Sequence, residues 1–406
     1  MQVSIWSPFR SSAFRIFWCC AFLSNLGTWV QDVASSWLMT HLSSSPLVIS
    51  LLSFASSLPV VLLSIPAGFW ADSGDRRKIL LLAQALMLVS AFVLGFQAAR
   101  ESLNEFTILF LSLTLGIGVA LNGPAYQTVL SELVPPREQQ NAVLLYYMGL
   151  NITRVVGPAL GGFILGVAGA SSAYFVNAFS FLGLILFYWR WPLGARSAEA
   201  AAPGKAPVRF KLFYKGLAPQ DWRNLFSKSN LKLWIEIFVV SFSASALWAL
   251  YPVRGRLELH LESLQFGSLL GCLGFGAFLS AVFSKHVMNP QRTWQSLSFA
   301  YLVFASAEVI LAQADNYTTA CLGMVFGGIG WIILATLMNM SSRQLTTASH
   351  LKATTLGVFL SVFYLGMSLG SVTWGALAKW HTSSFSLRVS AGVLFLCCGY
   401  KFLRKQ

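Results

Sequence analysis

Apolar residues gather along the chain into long runs separated by short polar stretches. The runs cover about 14–40, 46–70, 79–98, 105–126, 140–167, 171–191, 230–251, 263–284, 294–313, 317–339, 353–378 and 384–403. Each is close to the ~20 residues that cross a bilayer as a helix. They are too long for barrel strands and lack the period of two that such strands carry. The pattern predicts an all-α polytopic membrane protein of twelve transmembrane helices. The first run follows a short basic patch and has no small-residue cleavage site, so it reads as a membrane helix and not a removed signal.

The longest polar stretch, Pro192 to Ser229, divides the helices six and six. It contains ARSAEAAAPGKAPVRFKLF, small residues with Pro, Gly and bases. The predicted organisation is a six-helix bundle over 1–191, a cytoplasmic linker over 192–229 and a second six-helix bundle over 230–406. The halves also repeat. Gly116-Ile-Gly118 recurs as Gly328-Ile-Gly330, and Gly157 and Gly162 recur as Gly370 and Gly375. Repeats of this kind enclose a site near the membrane midplane and move against each other.

Composition narrows the class. The chain is 56% hydrophobic and 10% charged, against about 25% charged residues in soluble domains. A soluble enzyme, a nucleic-acid reader and a disordered chain are excluded. The net charge of +14 reflects orientation. Of 28 Lys and Arg, Arg100, Arg254, Arg256, Lys379 and Arg388 fall on one side of the predicted membrane, Arg154 lies in a span, and the other 22 fall on the opposite side. The positive-inside rule places both termini and the linker in the cytoplasm.

Other chemistries lack their residues. All six cysteines sit in apolar runs, with no CxxC pair and no histidine at metal-ligand spacing. No GxxxxGK[ST], HExxH or GxSxG sequence occurs. The run Gly271-Cys272-Leu273-Gly274-Phe275-Gly276 lies inside a predicted helix and reads as close helix packing. The chain is expected to be no enzyme, to hold no metal or cofactor, and to move a solute on an existing gradient.

The segment GFWADSGDRRK, with Gly68, Asp72, Asp75, Arg76, Arg77 and Lys78, resembles motif A of the major facilitator superfamily. Ser73 stands where that motif has a base and Asp75 where it has glycine. NITRVVGPALGG, with Gly157, Pro158, Gly161 and Gly162, resembles the helix-5 motif of exporters. SSLPVVLLSIPAGFWAD and SELVPPREQQNAV resemble the second helix and the loop before the fifth in the branch that includes the enterobactin exporter and macrolide-efflux drug–proton antiporters. The second half resembles it less, with ALWALYPVRGRLEL the best stretch. Its mirror motif A is lost, because Ser280 stands four residues after Gly276. The resemblance implies two six-helix bundles that alternate access. It also implies a cytoplasmic latch, in which Asp72 faces a helix N-terminus and Arg76.

Ionisable groups inside spans are costly and point to function. Asn25, Trp29, Asp32 and Ser36 form one polar stripe on the first helix, and Tyr147, Asn151 and Arg154 a similar one on the fifth. Counted from the helix starts, Asp32 is ~27 Å along and Arg154 ~21 Å, so similar depths are expected. Asp32 reads either as a proton carrier or as the partner of Arg154, and the two roles are compatible. Glu236 is a second candidate for titration in the cavity, whereas Glu308 reads as structural. Trp29 and Tyr147 are candidates for stacking a substrate.

The expected function is proton-coupled export of a small amphipathic molecule across the inner membrane of a bacterium. The expected protein is a monomer in the lipid bilayer that binds no nucleic acid. A siderophore exporter is one alternative. A lipid flippase or membrane sensor without proton coupling is another, of a different class.

Overall fold

The computed structural model describes residues 4–73, 76–190, 223–283, 293–345 and 352–403. Its helices are α1 (Ser12–Leu42), α2 (Pro46–Ser73), α3 (Arg76–Ala99), α4 (Glu105–Leu133), a stretch Gln139–Arg190, α7 (Lys228–Pro252), α8 (Ser263–Val282), α9 (Thr293–Ala312), α10 (Tyr317–Arg343), α11 (Lys352–Trp380) and α12 (Ser383–Leu403). The stretch Gln139–Arg190 has 52 residues. As one helix it would span ~78 Å, more than twice the ~30 Å hydrocarbon core. It breaks at Gly169, whose φ of 77° only glycine adopts freely. This gives α5 (139–168) and α6 (170–190), and so twelve spans among the described residues. Every predicted run coincides with one of them. The predicted linker lies outside the described residues up to residue 222.

Polar caps fix the helix starts. Ser11 accepts from the Phe14 amide, Asn104 from Thr107 and Asn316 from Thr319. The last two caps start α4 and α10, and they stand at the same spacing as the repeated Gly116 and Gly328. Each satisfies an amide that the helix itself leaves free.

The repeated glycines meet equivalent neighbours. Gly116 abuts Ser56 and Pro59 of α2, and Gly328 abuts Leu273 and Ala277 of α8. Gly118 abuts Met87 of α3, and Gly330 abuts Phe304 of α9. Gly157 lies on Trp29 of α1, and Gly370 on Phe242 of α7. Each six-helix half therefore repeats the other's packing, with a glycine at each of these close helix contacts.

The halves meet along two seams. In the first, α5 runs antiparallel to α8: Gly166 and Gly162 face Ser263 and Gly267, and Arg154 faces Gly274 through its backbone. In the second, α2 runs antiparallel to α11, from Ser50 against Gly375 to the Ser64–Ser361 hydroxyl pair at 3.0 Å. With an even number of spans, the start of α1 and the end of α12 share one side, here the near face. On the far face the halves are tied further. The Tyr251 hydroxyl donates to Ser36 Oγ at 3.1 Å. Arg256 lies 4.7 Å from the ring centre of Trp37, which also meets Phe266 edge-on.

Toward the near face the first seam opens. Continuing its register beyond Arg154 and Gly274 would bring Tyr147 and Met148 of α5 to Phe278 and Val282 of α8. These four are 46%, 41%, 41% and 57% exposed. The α5–α8 contact is thus closed toward the far face and parted toward the near face.

Candidate functional site

Three helix faces build the space between the halves. On α1, residues seven apart share a face, so Trp18, Asn25 and Asp32 line up. Asp32 is exposed, while Gln31, Val33, Ala34, Ser35 and Ser36 around it are buried. The buried neighbours pack on α6 and α7. The Tyr174 and Ser35 hydroxyls pair at 3.2 Å, and Asn177 Nδ2 donates to Gln31 Oε1 at 2.7 Å. Tyr174 and Tyr251 lie within electrostatic reach of Asp32.

The register between α1 and α5 corrects the expected depth of Arg154. The ring of Trp18 lies on Gly149, Trp29 lies on Gly157, and Val30 and Val33 flank Gly161. The two helices run parallel. Arg154 comes three residues before Gly157 and so stands level with Leu26, three before Trp29. It is therefore six residues, ~9 Å, nearer the near face than Asp32. Among the described residues no hydrogen bond or ion pair joins either side chain to a partner, so of the two alternatives for Asp32 the pair with Arg154 is not formed in this structure. Depth counted from helix starts gives the same order but a ~6 Å offset; the glycine contacts, not the helix ends, set the register and widen it to ~9 Å. Arg154 is half-buried and within electrostatic reach of Tyr364 on α11.

Between α1 and α5 lies a shallow, half-open cleft lined by Trp18, Ala21, Phe22, Asn25, Tyr146, Gly149 and Leu150. Trp18 and Phe22 stack at 5.3 Å. Of the stripe residues, Asn25 lines this cleft, Asn151 is half-buried and Tyr147 is exposed. Trp29 is half-buried and Ser36 is buried on Tyr251. The sequence puts forward Trp29 and Tyr147 as aromatic platforms; the aromatic walls of this cleft are instead Trp18, Phe22 and Tyr146. The signal for it was Gly149, the small residue that leaves room beside Trp18.

The helix-5 motif divides its work. Gly157 and Gly161 pack on α1 within the first half. Gly162 and the carbonyl of Pro158 meet Gly267 across the seam. Gly271 and Gly274 on the opposite strip also pack closely on α5, as their sequence predicted.

Glu236 does not join this space. Lys401 of α12 holds it at 2.8 Å, and the Tyr301 hydroxyl of α9 donates to it. A carboxylate bound from α9 and α12 faces the outer packing of the second half, which removes it from the expected cavity group. Glu308 lies one layer deeper in the same packing, fully buried, with Ser390 Oγ at 3.0 Å. The Ser243 carbonyl, 2.8 Å from Ser390 Oγ, competes with Glu308 for the one proton of that hydroxyl. Of the motif-A group, Gly74 and Asp75, the surroundings of Gly68 and the side chains of Asp72 and Arg76 fall outside what the structure describes. Arg77 donates to the carbonyl of Trp189 at the end of α6, so it ties α3 to α6 within one half. Among the described residues no group of three or more His, Cys, Asp or Glu could hold a metal.

Residues 3–404 match the family described as transmembrane secretion effector. The multidrug efflux pump Tap of Mycobacterium tuberculosis is 24% identical, over 91% of this chain and 87% of its own. The staphyloferrin A transporter of Staphylococcus aureus is 25% identical, over 68% and 67%. Among solved structures, the inward-facing, unoccupied bacterial homologue of the human lysosomal transporter Spinster superposes with a TM-score of 0.74. It is 17% identical over 98% of this chain and 97% of that one, a likeness of fold. The chain belongs to the transmembrane secretion effector family of the major facilitator superfamily, multi-pass membrane transporters and not enzymes.

Proposed function

We propose that this transporter exports a small amphipathic molecule in exchange for protons, by alternating access, across the cytoplasmic membrane of a bacterium. The observation that carries the reading is Asp32. It is a carboxylate deep in α1, turned to the space between the halves and bonded to no base among the described residues. A carboxyl group placed there can take up and release a proton as access alternates, which is the device an exchanger needs. The basic bias of the near face supports reading it as cytoplasmic. On that reading the parted α5–α8 seam corresponds to an inward-open state. The efflux pump and the siderophore transporter among the relatives support export. A siderophore is the second reading for the substrate, favoured by the unpaired cation of Arg154.

The test is Asp32→Asn in proteoliposomes, a change that mimics the protonated acid. It is expected to abolish pH-driven accumulation while leaving passive exchange measurable. Uphill transport at the parental rate with unaltered pH dependence would reject Asp32 as the coupling group.

A further inference from the structure

Asp32 and Arg154 are opposite charges, neither with a counter-charge among the described residues. Both are turned to the space between the halves, and the glycine contacts of α1 with α5 hold them ~9 Å apart along the membrane normal. That offset is measured between helix positions, and in this structure the two side chains do not bridge it. Unpaired charges in a medium of low dielectric are costly. A ligand relieves both only if it carries a cation and an anion at matching separation. Toward the near face from Arg154, the cleft between α1 and α5 is walled by the aromatic rings of Trp18, Phe22 and Tyr146.

We propose that the cargo is a zwitterionic amphipath, bound with an ammonium group at Asp32 and a carboxylate at Arg154. This deepens the reading above and rests on it. The sign of each charge fits exchange. An ammonium at Asp32 takes the place of the proton, so cargo and proton bind in turn. A purely anionic cargo at Arg154 would instead hold the proton on Asp32 and carry it outward, against the gradient. A purely cationic cargo would reach Asp32 past the repulsion of Arg154.

Three probes decide it on the purified full chain in nanodiscs: ω-aminooctanoate, its methyl ester and its N-acetyl derivative. The zwitterion is expected to bind at least about tenfold more tightly than either singly charged form, the least that one charged hydrogen bond gives. Arg154→Gln should erase its advantage over the ester, and Asp32→Asn its advantage over the N-acetyl form. Arg154→Lys, which keeps the charge, should retain a preference for the zwitterion and guards against a folding artefact. Undetectable binding of the zwitterion, equal binding of a singly charged form, or variants that keep full selectivity would overturn the proposal. Zwitterion selectivity without pH-driven transport would leave it standing and reject the coupling reading. Proton-driven export of the ester with no preference for the zwitterion would do the reverse.

Discussion

Replacing Gly162 with alanine tests whether the α5–α8 seam belongs to one conformation only. A Cβ at Gly162 would stand 2.5 Å from the Ser263 carbonyl oxygen and 3.0 Å from Cα of Gly267. Both atoms are backbone of the other half, so no rotamer change relieves them. Reaching ordinary contact requires the helices to part by roughly 1 Å, and overpacking on this scale costs about 1–3 kcal/mol. A state in which α5 and α8 separate toward the far face is spared that cost. Gly162→Ala should therefore shift the balance toward far-face opening by about 5–150-fold. Gly157→Ala is the control. Its Cβ would stand 2.6 Å from Trp29 Cβ within one half, so both states suffer alike. The assay places a cysteine at Val253, 3% exposed near the far face, in a protein stripped of its native cysteines. An impermeant maleimide should label it faster in Gly162→Ala and at the parental rate in Gly157→Ala. If Gly162→Ala lowers thermal stability without changing the labelling rate, the seam is static packing and the reasoning fails.

Arg256→Ala removes the cation resting on Trp37 between the halves, worth about 0.5–2 kcal/mol. It should also speed labelling at Val253, and an unchanged rate would show that this contact does not hold the far face shut. Glu236→Gln leaves Lys401 without its carboxylate at a partly exposed site, so thermal stability should fall by no more than ~1 kcal/mol and transport should persist. Loss of proton coupling in that variant would return Glu236 to the mechanism. Asp72→Asn removes one charged contact of the expected motif-A latch, about 1.5–3 kcal/mol. It should favour the near-face-open state and slow transport in a folded protein, and an unaltered accessibility pattern would refute the latch.

Element positions were legible in the sequence because each span is a local property. Twenty apolar residues bounded by Asn104 or Gly169 need no tertiary information. The repeated glycines were equally legible, and they mark close backbone approaches in both halves. The level of Arg154 against Asp32 was legible only to within about 3 Å. It depends on which glycine of α5 receives Trp29, a contact between residues 128 positions apart in the sequence. The fate of Glu236 depended on Lys401, 165 residues away. The aromatic cleft combined Trp18 and Phe22 with Tyr146, none of which breaks the apolar pattern of its own helix. What sequence periodicity cannot carry is the rotation and slide of one helix on the next.

Gly169 joins α5 to α6 with a single non-helical residue. Such a joint leaves the angle between the two rods free but allows them no relative slippage along the membrane normal. When α5 rises or sinks against α8, the far-face end of α6 must travel with it. That stroke continues outward, because Phe175 of α6 sits against Gly95 of α3. The first half is thus geared: the seam's movement is delivered, undiluted by a slack loop, to helices that face lipid. A few flexible residues inserted at Gly169 would disengage that gear without altering the faces of α1 and α5 that carry Asp32 and Arg154.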